Sequence, residues 1–370
     1  MAEPLKNFFS PKIATRIADM IAAVSPVFQA KAFVADAVRG LDALELVPRG
    51  WHIAHALHRH LPPDFESAAA ILKASLGPRL AATEGNGLAP FLYLPHVLFT
   101  AEYGIDDLET ALDLQYELTR RFSAEYSIRV FIERYPERTL ERLRVWAGDP
   151  DVHARRLVSE GTRPRLPWAP RLREFQKDPR PVLELLELLK DDPELYVRRS
   201  VANNLNDIGK DHPDILFDTC QRWGIGASAD RQWLIRHALR SAVKRGESGA
   251  LQVLGYHRAP SARIEHARIT PRRAKIGGTV EFSFDLVSTA RRKQPLLVDF
   301  RVLFVKADRT TSPKVFKLKT VELAPGESIS LSGRLSLRQM TTRKHYPGRH
   351  QIDAVVNGAT LPLGHFDLDR

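Results

Sequence analysis

The chain contains the stretch Asp149-Pro-Asp-Val-His-Ala-Arg-Arg-Leu-Val-Ser-Glu160, and a related stretch, Asp192-Pro-Glu-Leu-Tyr-Val-Arg-Arg-Ser-Val-Ala-Asn203, follows 43 residues later. A weaker copy, Leu234-Ile-Arg-His-Ala-Leu239, comes 38 residues after the second. Each full copy begins with an Asp-Pro pair, which favours a turn, and continues into residues that suit a helix. The sequence therefore repeats with a period of about 40 residues, and the repeating unit is helical.

A period of this length with paired helices is typical of HEAT-like repeats. Each helix pair buries its apolar face only by stacking on its neighbours, so the expected product is a curved solenoid with a concave surface. Each full copy carries two adjacent arginines. We expect one of them to pair with an aspartate of an Asp-Pro turn and the other to face solvent or a ligand.

Helical spacing of apolar residues extends over the chain as far as about residue 255. One clear stripe has an apolar residue at every third or fourth position: Val182, Leu185, Leu186 and Leu189. Short breaks such as Gly148-Asp-Pro150 separate the helices. This part is predicted to be entirely helical.

Beyond residue 260 the period of the apolar residues changes to two. Apolar and polar residues alternate from Val280 to Leu286 and again from Ser328 to Leu337, as in half-buried strands. Asn357-Gly358 and the segment Ala324-Pro-Gly-Glu327 predict turns. Six or seven short strands without a helical stripe indicate a sandwich of immunoglobulin-like type.

We therefore predict a mainly α chain: a HEAT-like α-α solenoid followed by a C-terminal all-β immunoglobulin-like sandwich. The predicted domains are residues 1–257 and 264–370, and residues 256–263 form the predicted linker. A length of 370 residues agrees with two domains.

The net charge of +11 is confined to the end of the chain. Residues 256–370 hold 21 of the 55 basic residues but only 10 of the 44 acidic ones, which leaves residues 1–255 neutral. A basic module favours a polyanionic partner such as nucleic acid or an acidic membrane surface. A soluble domain that is basic without such a partner is the alternative.

Several classes of site are excluded by composition. The sequence has no phosphate-binding loop of P-loop type, no dinucleotide-binding glycine motif and no His-Glu-x-x-His. A single cysteine, Cys220, rules out an internal disulfide and a cysteine-based metal site. Four histidines between His52 and His60 have no carboxylate or cysteine at ligand spacing, so we predict neither a metal nor a cofactor. The absence of a membrane-spanning run and of a secretory signal predicts a cytoplasmic protein.

The segment from Arg155 to Pro170 is the most unusual of the helical part. A helix with two arginines ends at Glu160-Gly161, and a loop with three prolines then carries Arg163, Arg165 and Trp168. A tryptophan among arginines can stack on a sugar, a base or a cation. Alternatively, Trp168 covers the core of a helix pair and the arginines are solvated.

Glu125 stands 35 residues before Glu160, and we expect it to lie in a helix of the preceding repeat. If the repeats stack in register, both glutamates face the concave surface, where two carboxylates could stabilise positive charge and orient water. Glu125 could equally pair with Arg129, one helical turn away.

At these residues the chain resembles the HEAT-like repeat DNA glycosylases of alkylation repair, and within them the AlkC branch. Three segments carry the resemblance: Pro4-Leu-Lys-Asn-Phe-Phe9, Ser123-Ala-Glu-Tyr-Ser-Ile-Arg129 and Ser159-Glu-Gly-Thr-Arg-Pro-Arg-Leu-Pro-Trp168. A C-terminal immunoglobulin-like domain also occurs in part of that branch. The related AlkD branch uses an aspartate and tryptophans where this chain has glutamates.

The resemblance implies hydrolysis of the N-glycosidic bond of cationic alkylated bases, such as 3-methyladenine and 3-methylcytosine, in double-stranded DNA. It also implies that the damaged nucleotide is not flipped into a deep pocket. On this basis Glu125 and Glu160 are expected to stabilise the oxocarbenium-like sugar and position water, and Trp168 to press on the lesion. Candidate phosphate contacts are the arginines that the repeats place on the concave face: Arg155, Arg156, Arg163, Arg165, Arg199 and Arg236.

Two basic clusters between predicted strands are further candidates for DNA contacts: Arg291, Arg292 and Lys293, and Arg343 with Lys344. If both loops lie at one end of the sandwich, they could embrace the duplex. The alternative is that these loops only increase solubility. We expect a monomer that does not bind membranes. The competing hypotheses are a non-catalytic HEAT-repeat scaffold and a DNA-binding protein without activity.

Overall fold

The computed structural model describes residues 4–257, 260–340 and 344–369. The described residues form fifteen α-helices followed by eight β-strands, which confirms the predicted fold class. The helices are α1 Pro11–Ala22, α2 Ala30–Val38, α3 Leu46–His60, α4 Phe65–Ser75, α5 Leu94–Tyr103, α6 Leu108–Thr119, α7 Ile128–Arg134, α8 Pro136–Trp146, α9 Val152–Gly161, α10 Arg173–Lys177, α11 Arg180–Leu189, α12 Leu195–Ile208, α13 Pro213–Gly224, α14 Ala229–Lys244 and α15 Ser248–Val253. Short 3-10 helices span Leu5–Phe8, Leu41–Ala43 and Ala89–Tyr93.

The chain forms two compact units. The first comprises Met1–His212 and Ala227–Ala238, and the second comprises Pro213–Gly226 and Leu239–Arg370. Helices α13 and α15 therefore belong to the same unit as the strands. From the change of secondary structure, the sequence predicts a first domain that ends at residue 257 and a second that begins at residue 264. These domain boundaries stay a prediction.

The apolar stripes predicted from the sequence form the helical core. In α11 the four residues of the stripe between Val182 and Leu189 are all buried. Pro181 lies in the first turn of this helix, where a missing backbone N–H costs no hydrogen bond. Helical spacing therefore identified the buried face of this helix correctly.

A ladder of ion pairs connects successive repeats. Arg120 at the end of α6 binds Asp151 at 2.8 Å, and Arg155 of α9 binds Asp192 at 2.6 Å. Arg198 of α12 binds Asp230 at 2.9 Å. The expectation that one arginine of each pair binds an aspartate of an Asp-Pro turn is thus confirmed for Arg155 and is wrong for Arg198, whose acceptor is not part of such a turn. Asp230, the acceptor for Arg198, lies in the first turn of α14.

The strands are β1 Ala262–Thr270, β2 Arg273–Lys275, β3 Thr279–Ser288, β4 Gln294–Val305, β5 Thr311–Leu323, β6 Ser328–Ser336, β7 Gly348–Val356 and β8 Ala359–Asp369. They form two sheets, with the orders β1-β3-β6 and β2-β8-β7-β4-β5. Strand β2 runs parallel to β8, and the other pairs are antiparallel. The described residues thus contain eight strands where six or seven were predicted; the three-residue β2 is too short to show an alternating pattern.

The core of the sandwich consists of the inward residues of both sheets, including Phe282 and Phe284 of β3 and Phe300 of β4. The predicted turn at Asn357-Gly358 joins β7 and β8 with both residues at positive φ, 45° and 80°. Such a pair suits a tight hairpin, because its twist matches that of the strands. Within the described residues, no helix combines the length and apolar character that crossing a bilayer requires.

Candidate active site

A loop that begins where α9 ends carries Trp168. Helix α9 ends at Gly161, and residues 162–172 run without regular structure to α10. Two arginines of the loop bind the next repeat: Arg163 Nε donates to Asp207 in the last turn of α12 at 2.8 Å, and Arg165 Nε donates to Asp211 in the turn after α12 at 2.9 Å. The loop is therefore fixed to the next repeat by its own side chains.

Trp168 is the exposed residue of this loop. Its side chain is large and apolar, yet the residue is 78% exposed. Its φ of 64° lies in the left-handed region, which a bulky residue rarely adopts and which stores strain. Trp168 does not cover the core of a helix pair, so the alternative derived from the sequence is wrong.

Glu125 lies in the turn before α7 and not in a helix, which corrects the sequence prediction. The serines beside it explain the difference. The Ser127 hydroxyl donates to the Ala124 carbonyl, and the Glu125 amide donates to Ser123 Oγ. Such side-chain bonds to the backbone compete with helix formation.

Arg156 joins the two predicted glutamates. Its Nη1 donates to Glu125 Oε2 at 2.5 Å, and its Nη2 lies 3.5 Å from Glu160 Oε1. The guanidinium carbon is 5.4 Å from the centre of the Tyr196 ring of α12. The structure therefore brings Glu125 and Glu160 to one cation, and Glu125 does not form the alternative pair with Arg129.

Glu160 is buried, and both of its oxygens are occupied. Arg163 Nη1 donates to Oε1 at 2.7 Å, and the Ser200 hydroxyl of α12 donates to Oε2 at 2.6 Å. Burial alone would raise the pKa of Glu160, but Arg156 and Arg163 hold that pKa below its usual value. Glu160 is thus an anion at neutral pH that faces arginines and not solvent.

Glu125 and Trp168 line the same pocket, which has a volume of about 290 Å³. Arg156 and Tyr126 also line it, and most of the remaining wall is apolar, from α3, α5 and the Phe91 and Phe122 side chains. Glu160 is not among the described residues that line the pocket. The carboxylate that a ligand in this pocket can reach is therefore that of Glu125.

The predicted phosphate contacts fall into two groups. Arg155, Arg163 and Arg165 are engaged by Asp192, Asp207 and Asp211, and Arg156 is engaged by the glutamates. This geometry does not support phosphate contacts for those four. Arg199 is 44% exposed in its side chain and pairs with Glu84 at 3.1 Å, and Arg236 is exposed.

The two basic clusters of the sandwich lie at opposite ends. Arg291 and Arg292 are exposed in the β3–β4 loop, and Lys293 pairs with Glu322 at 2.9 Å. Lys344 is exposed between β6 and β7, and Arg343 lies outside the described residues. The register pairs Thr279, the first residue of β3, with Ser336, the last residue of β6. The β3–β4 loop and the β6–β7 connection therefore begin at opposite ends of the strands. One end of the sandwich cannot hold both clusters.

Tyr196 and Ser200 were not found from the sequence, and Arg129 was considered there only as a possible partner of Glu125. Tyr196 occupies the repeat position that His153 has in the previous copy, and the two rings pack edge to face with centroids 5.6 Å apart. This correspondence between the two repeats was the signal from which Tyr196 could have been found. The contacts of Arg129 and Ser200 depend on residues more than 30 positions away and leave no local pattern.

The histidines of α3 contact several neighbouring side chains. His58 stacks on Tyr103 with ring centroids 3.8 Å apart, and His60 lies 3.3 Å from Asp36. In the described part of the chain, no group of three histidine, cysteine or acidic side chains is arranged to hold a metal ion.

Comparison with known proteins defines the class. Residues 263–370 match the family described as the C-terminal Ig-like domain of the uncharacterised protein YhaZ. The uncharacterised protein YhaZ of Bacillus subtilis is 33% identical over 356 residues, 96% of each chain. The solved structure of Pseudomonas fluorescens AlkC, an alkylpurine DNA glycosylase bound to DNA with an abasic-site analogue, is 38% identical, with a TM-score of 0.92 over the whole of both chains.

The chain is thus a helical-repeat protein with an immunoglobulin-like domain, built like a DNA glycosylase. More specifically, it belongs to the AlkC family of alkylpurine DNA glycosylases.

Proposed function

We propose that this protein is a DNA glycosylase of base excision repair that hydrolyses the N-glycosidic bond of cationic alkylated bases, with 3-methyladenine and 3-methylcytosine as substrates. One observation carries the proposal: Glu125 and the exposed Trp168 share a pocket, and Arg156 links Glu125 to the buried Glu160. Membership of the AlkC family supports the same reaction.

The chemistry requires a negative charge beside the sugar. A base methylated on a ring nitrogen is positively charged and leaves readily, so the deoxyribose becomes an oxocarbenium-like cation. A carboxylate about 4 Å from that cation, at an effective dielectric constant near 20, stabilises it by about 4 kcal/mol. This corresponds to roughly a thousandfold in rate, which suffices for an activated leaving group.

The two glutamates divide this work. Glu125 lines the pocket and contacts the sugar, where it also orients the attacking water. Glu160 does not contact the ligand. It lies at the other guanidinium nitrogen of Arg156, where its charge, which it shares with Arg163, keeps Arg156 from cancelling the charge of Glu125 completely. Trp168 presses on the deoxyribose or base of the lesion while the damaged nucleotide stays out of a deep pocket.

DNA is held by exposed cations that do not belong to this network. In the helical unit these are Arg199, once a phosphate replaces Glu84, and Arg236. In the sandwich they are the exposed arginines of the β3–β4 loop and Lys344. Such contacts fix the register on DNA without reading its sequence. We expect a cytoplasmic monomer that acts on double-stranded DNA and needs no cofactor.

Conservative substitution of the glutamates tests the assignment. We expect Glu125→Gln to lower the single-turnover release of 3-methyladenine from methylated DNA about a thousandfold, since the charge next to the sugar is lost. Glu160→Gln should lower it less, about tenfold, because this side chain acts through Arg156. Glu109→Gln, an exposed glutamate of α6 that pairs with Arg138 and Arg142, serves as the control and should retain full activity.

Unchanged rates in both site variants would remove the proposed catalytic roles. The lesion series 3-methyladenine, 3-methylcytosine and 7-methylguanine, with a neutral lesion as comparison, then defines the substrate range. Binding of methylated duplex by the wild-type protein without release of any base would contradict the proposed activity.

A further inference from the structure

Arg129 is a buried cation that has no described carboxylate within salt-bridge distance. It lies in α7, is 2% exposed, and forms no ion pair with any of the described acidic side chains at salt-bridge distance. Burial lowers the pKa of Arg129 to about 10. A buried charge lowers the stability of the fold unless hydrogen bonds compensate for its lost hydration. The groups to which Arg129 donates therefore indicate its role.

All of its partners are backbone carbonyls of the loop that carries Trp168. Nη1 donates to the carbonyls of Gly161 at 3.0 Å and Arg163 at 2.7 Å. Nε and Nη2 both donate to the carbonyl of Pro170, at 3.0 Å and 2.5 Å. One guanidinium therefore ties the beginning of the loop, at Gly161, to its end, at Pro170.

This clamp adjoins the strained residue. Trp168 stands two positions before Pro170, with its φ of 64° and its exposed indole. A bulky residue stays in the left-handed region only where the surrounding structure fixes it. The ion pairs of Arg163 and Arg165 fix the middle of the loop, and the planar fork of Arg129 fixes both ends.

We infer that Arg129 is a positioning residue that holds Trp168 in place for the lesion. The inference rests on the proposed function, in which Trp168 contacts the damaged nucleotide. Arg129 then affects the rate of base release only through the position of Trp168.

Arg49 provides a matched control for a merely structural role. It is also a buried arginine, 4% exposed, and it also donates to carbonyls, those of Leu44, Lys6, Phe9 and Asp42. Arg49→Lys and Arg129→Lys remove the same kind of fork. Both substitutions should lower the melting temperature by a similar amount. A difference between the two variants in base release or in trypsin cleavage therefore reports on the Trp168 loop.

The first experiment measures base release and loop opening in the two variants. We expect Arg129→Lys to lower the single-turnover rate about tenfold or more at saturating protein, because misplacement by about 1 Å suffices for such losses. Trypsin should cut Arg129→Lys faster than wild type at the Arg165–Leu166 bond. Arg49→Lys should match wild type in both measurements; equal effects of both variants would overturn the inference.

The second experiment is a double-mutant cycle with Trp168→Ala. If Arg129 acts through Trp168, adding Arg129→Lys to Trp168→Ala should change the rate less than twofold. The full tenfold loss in that background would overturn the inference. The cycle is therefore sensitive to positioning and not to general destabilisation.

Wild-type protein supplies a further test that holds even if Arg129→Lys does not fold. The Arg165–Leu166 bond should resist trypsin far longer than the Arg291–Arg292 bond, because both residues of the latter bond are exposed in the β3–β4 loop. Equal cleavage rates would overturn the inference. Failure of the proposed function looks different: wild-type protein would release no base, whereas the trypsin comparison would stand.

Discussion

Arg156 sets the electrostatics of the candidate site. The Glu125 carboxylate binds its Nη1, which also donates to Ser123 Oγ at 3.0 Å, and the Tyr196 ring covers the guanidinium. The two glutamates raise the pKa of Arg156 although burial opposes this, so the cation is permanent. A fixed cation between two anions holds them in place more rigidly than hydrogen bonds to neutral groups would.

The charge of Glu160 makes a pH-dependent contribution to stability. Because its pKa is lower in the folded protein than the usual 4.5, the stabilisation is complete above about that pH and is lost as the pH falls through the lower, folded value. We expect Glu160→Gln to lower the free energy of unfolding by about 3 kcal/mol at pH 7, since it leaves buried arginines undercompensated.

The measurement is the melting temperature of Glu160→Gln and wild type between pH 7 and pH 3. The difference between the two proteins should shrink below pH 4.5. A difference that is constant over this range would mean that Glu160 is not an ionised partner of Arg156 and Arg163.

At the scale of elements, the Arg–Asp ladder explains why the repeat is visible in the sequence. Asp192 accepts from Arg155 Nε and Nη2 and also from the Glu194 amide at 2.9 Å. It therefore forms the turn before α12 and at the same time binds α9 of the preceding repeat. Arg155 completes the contact by donating to the carbonyls of Asp149 and Pro150. An arginine recurs at this position because each of these repeats is joined to the next by an arginine–aspartate pair, although the acceptor belongs to an Asp-Pro pair only at Asp192.

Two neighbouring aspartates test the importance of the ladder. The side chain of Asp192 is 3% exposed, whereas that of Asp191, which pairs with Arg231, is 48% exposed. We expect Asp192→Ala to lower the free energy of unfolding by about 3 kcal/mol, because it leaves the largely buried Arg155 without its carboxylate partner. Asp191→Ala should cost less than about 1 kcal/mol, since exposed ion pairs contribute little.

Denaturant unfolding of the two variants and wild type provides the measurement. Equal losses for Asp191→Ala and Asp192→Ala would show that the ladder does not connect the repeats energetically.

At the scale of the whole molecule, the net charge differs between the helical part and the C-terminal part of the chain. The helical half is neutral in sum, and many of its arginines are paired internally, whereas the whole excess of +11 belongs to residues 256–370. For the proposed DNA glycosylase, we expect the basic residues 256–370 to supply much of the general attraction to DNA.

Salt dependence of DNA binding tests this division. We expect the double substitution Arg291→Ala/Arg292→Ala to lower the slope of log affinity against log salt by about 1.8, and Lys344→Ala to lower it by about 0.9, if each cation contacts one phosphate. Arg180→Ala, which removes an exposed arginine that pairs with Asp178, serves as the control and should leave the slope unchanged.

An unaltered slope in both sandwich variants would mean that the domain serves another partner. Point substitutions are preferable to deletion of residues 264–370, because α13 and α15 belong to the same compact unit as the strands. Because the two clusters lie at opposite ends, a change in only one variant would identify the end that contacts DNA.

The sequence by itself determined the fold class, the repeat and the segments of the site. Periods of 3.6 and 2 are local properties, since a helix or strand shows its buried face in the spacing of its own apolar residues. The stripe of α11 and the Asn357-Gly358 hairpin could therefore be predicted. The segment from Arg155 to Trp168 was selected in the same way as a candidate site, and its role stays a prediction.

The tertiary structure alone decided which charges meet. Arg163 could have bound a phosphate, but it binds Asp207, 44 positions away, and Arg129 binds carbonyls up to 41 positions away instead of its neighbour Glu125. The division between the accessible Glu125 and the buried Glu160 arises in the same way. Partners of charged side chains are fixed by the stacking of repeats and the pairing of strands, and neither leaves a local spacing from which a partner can be read.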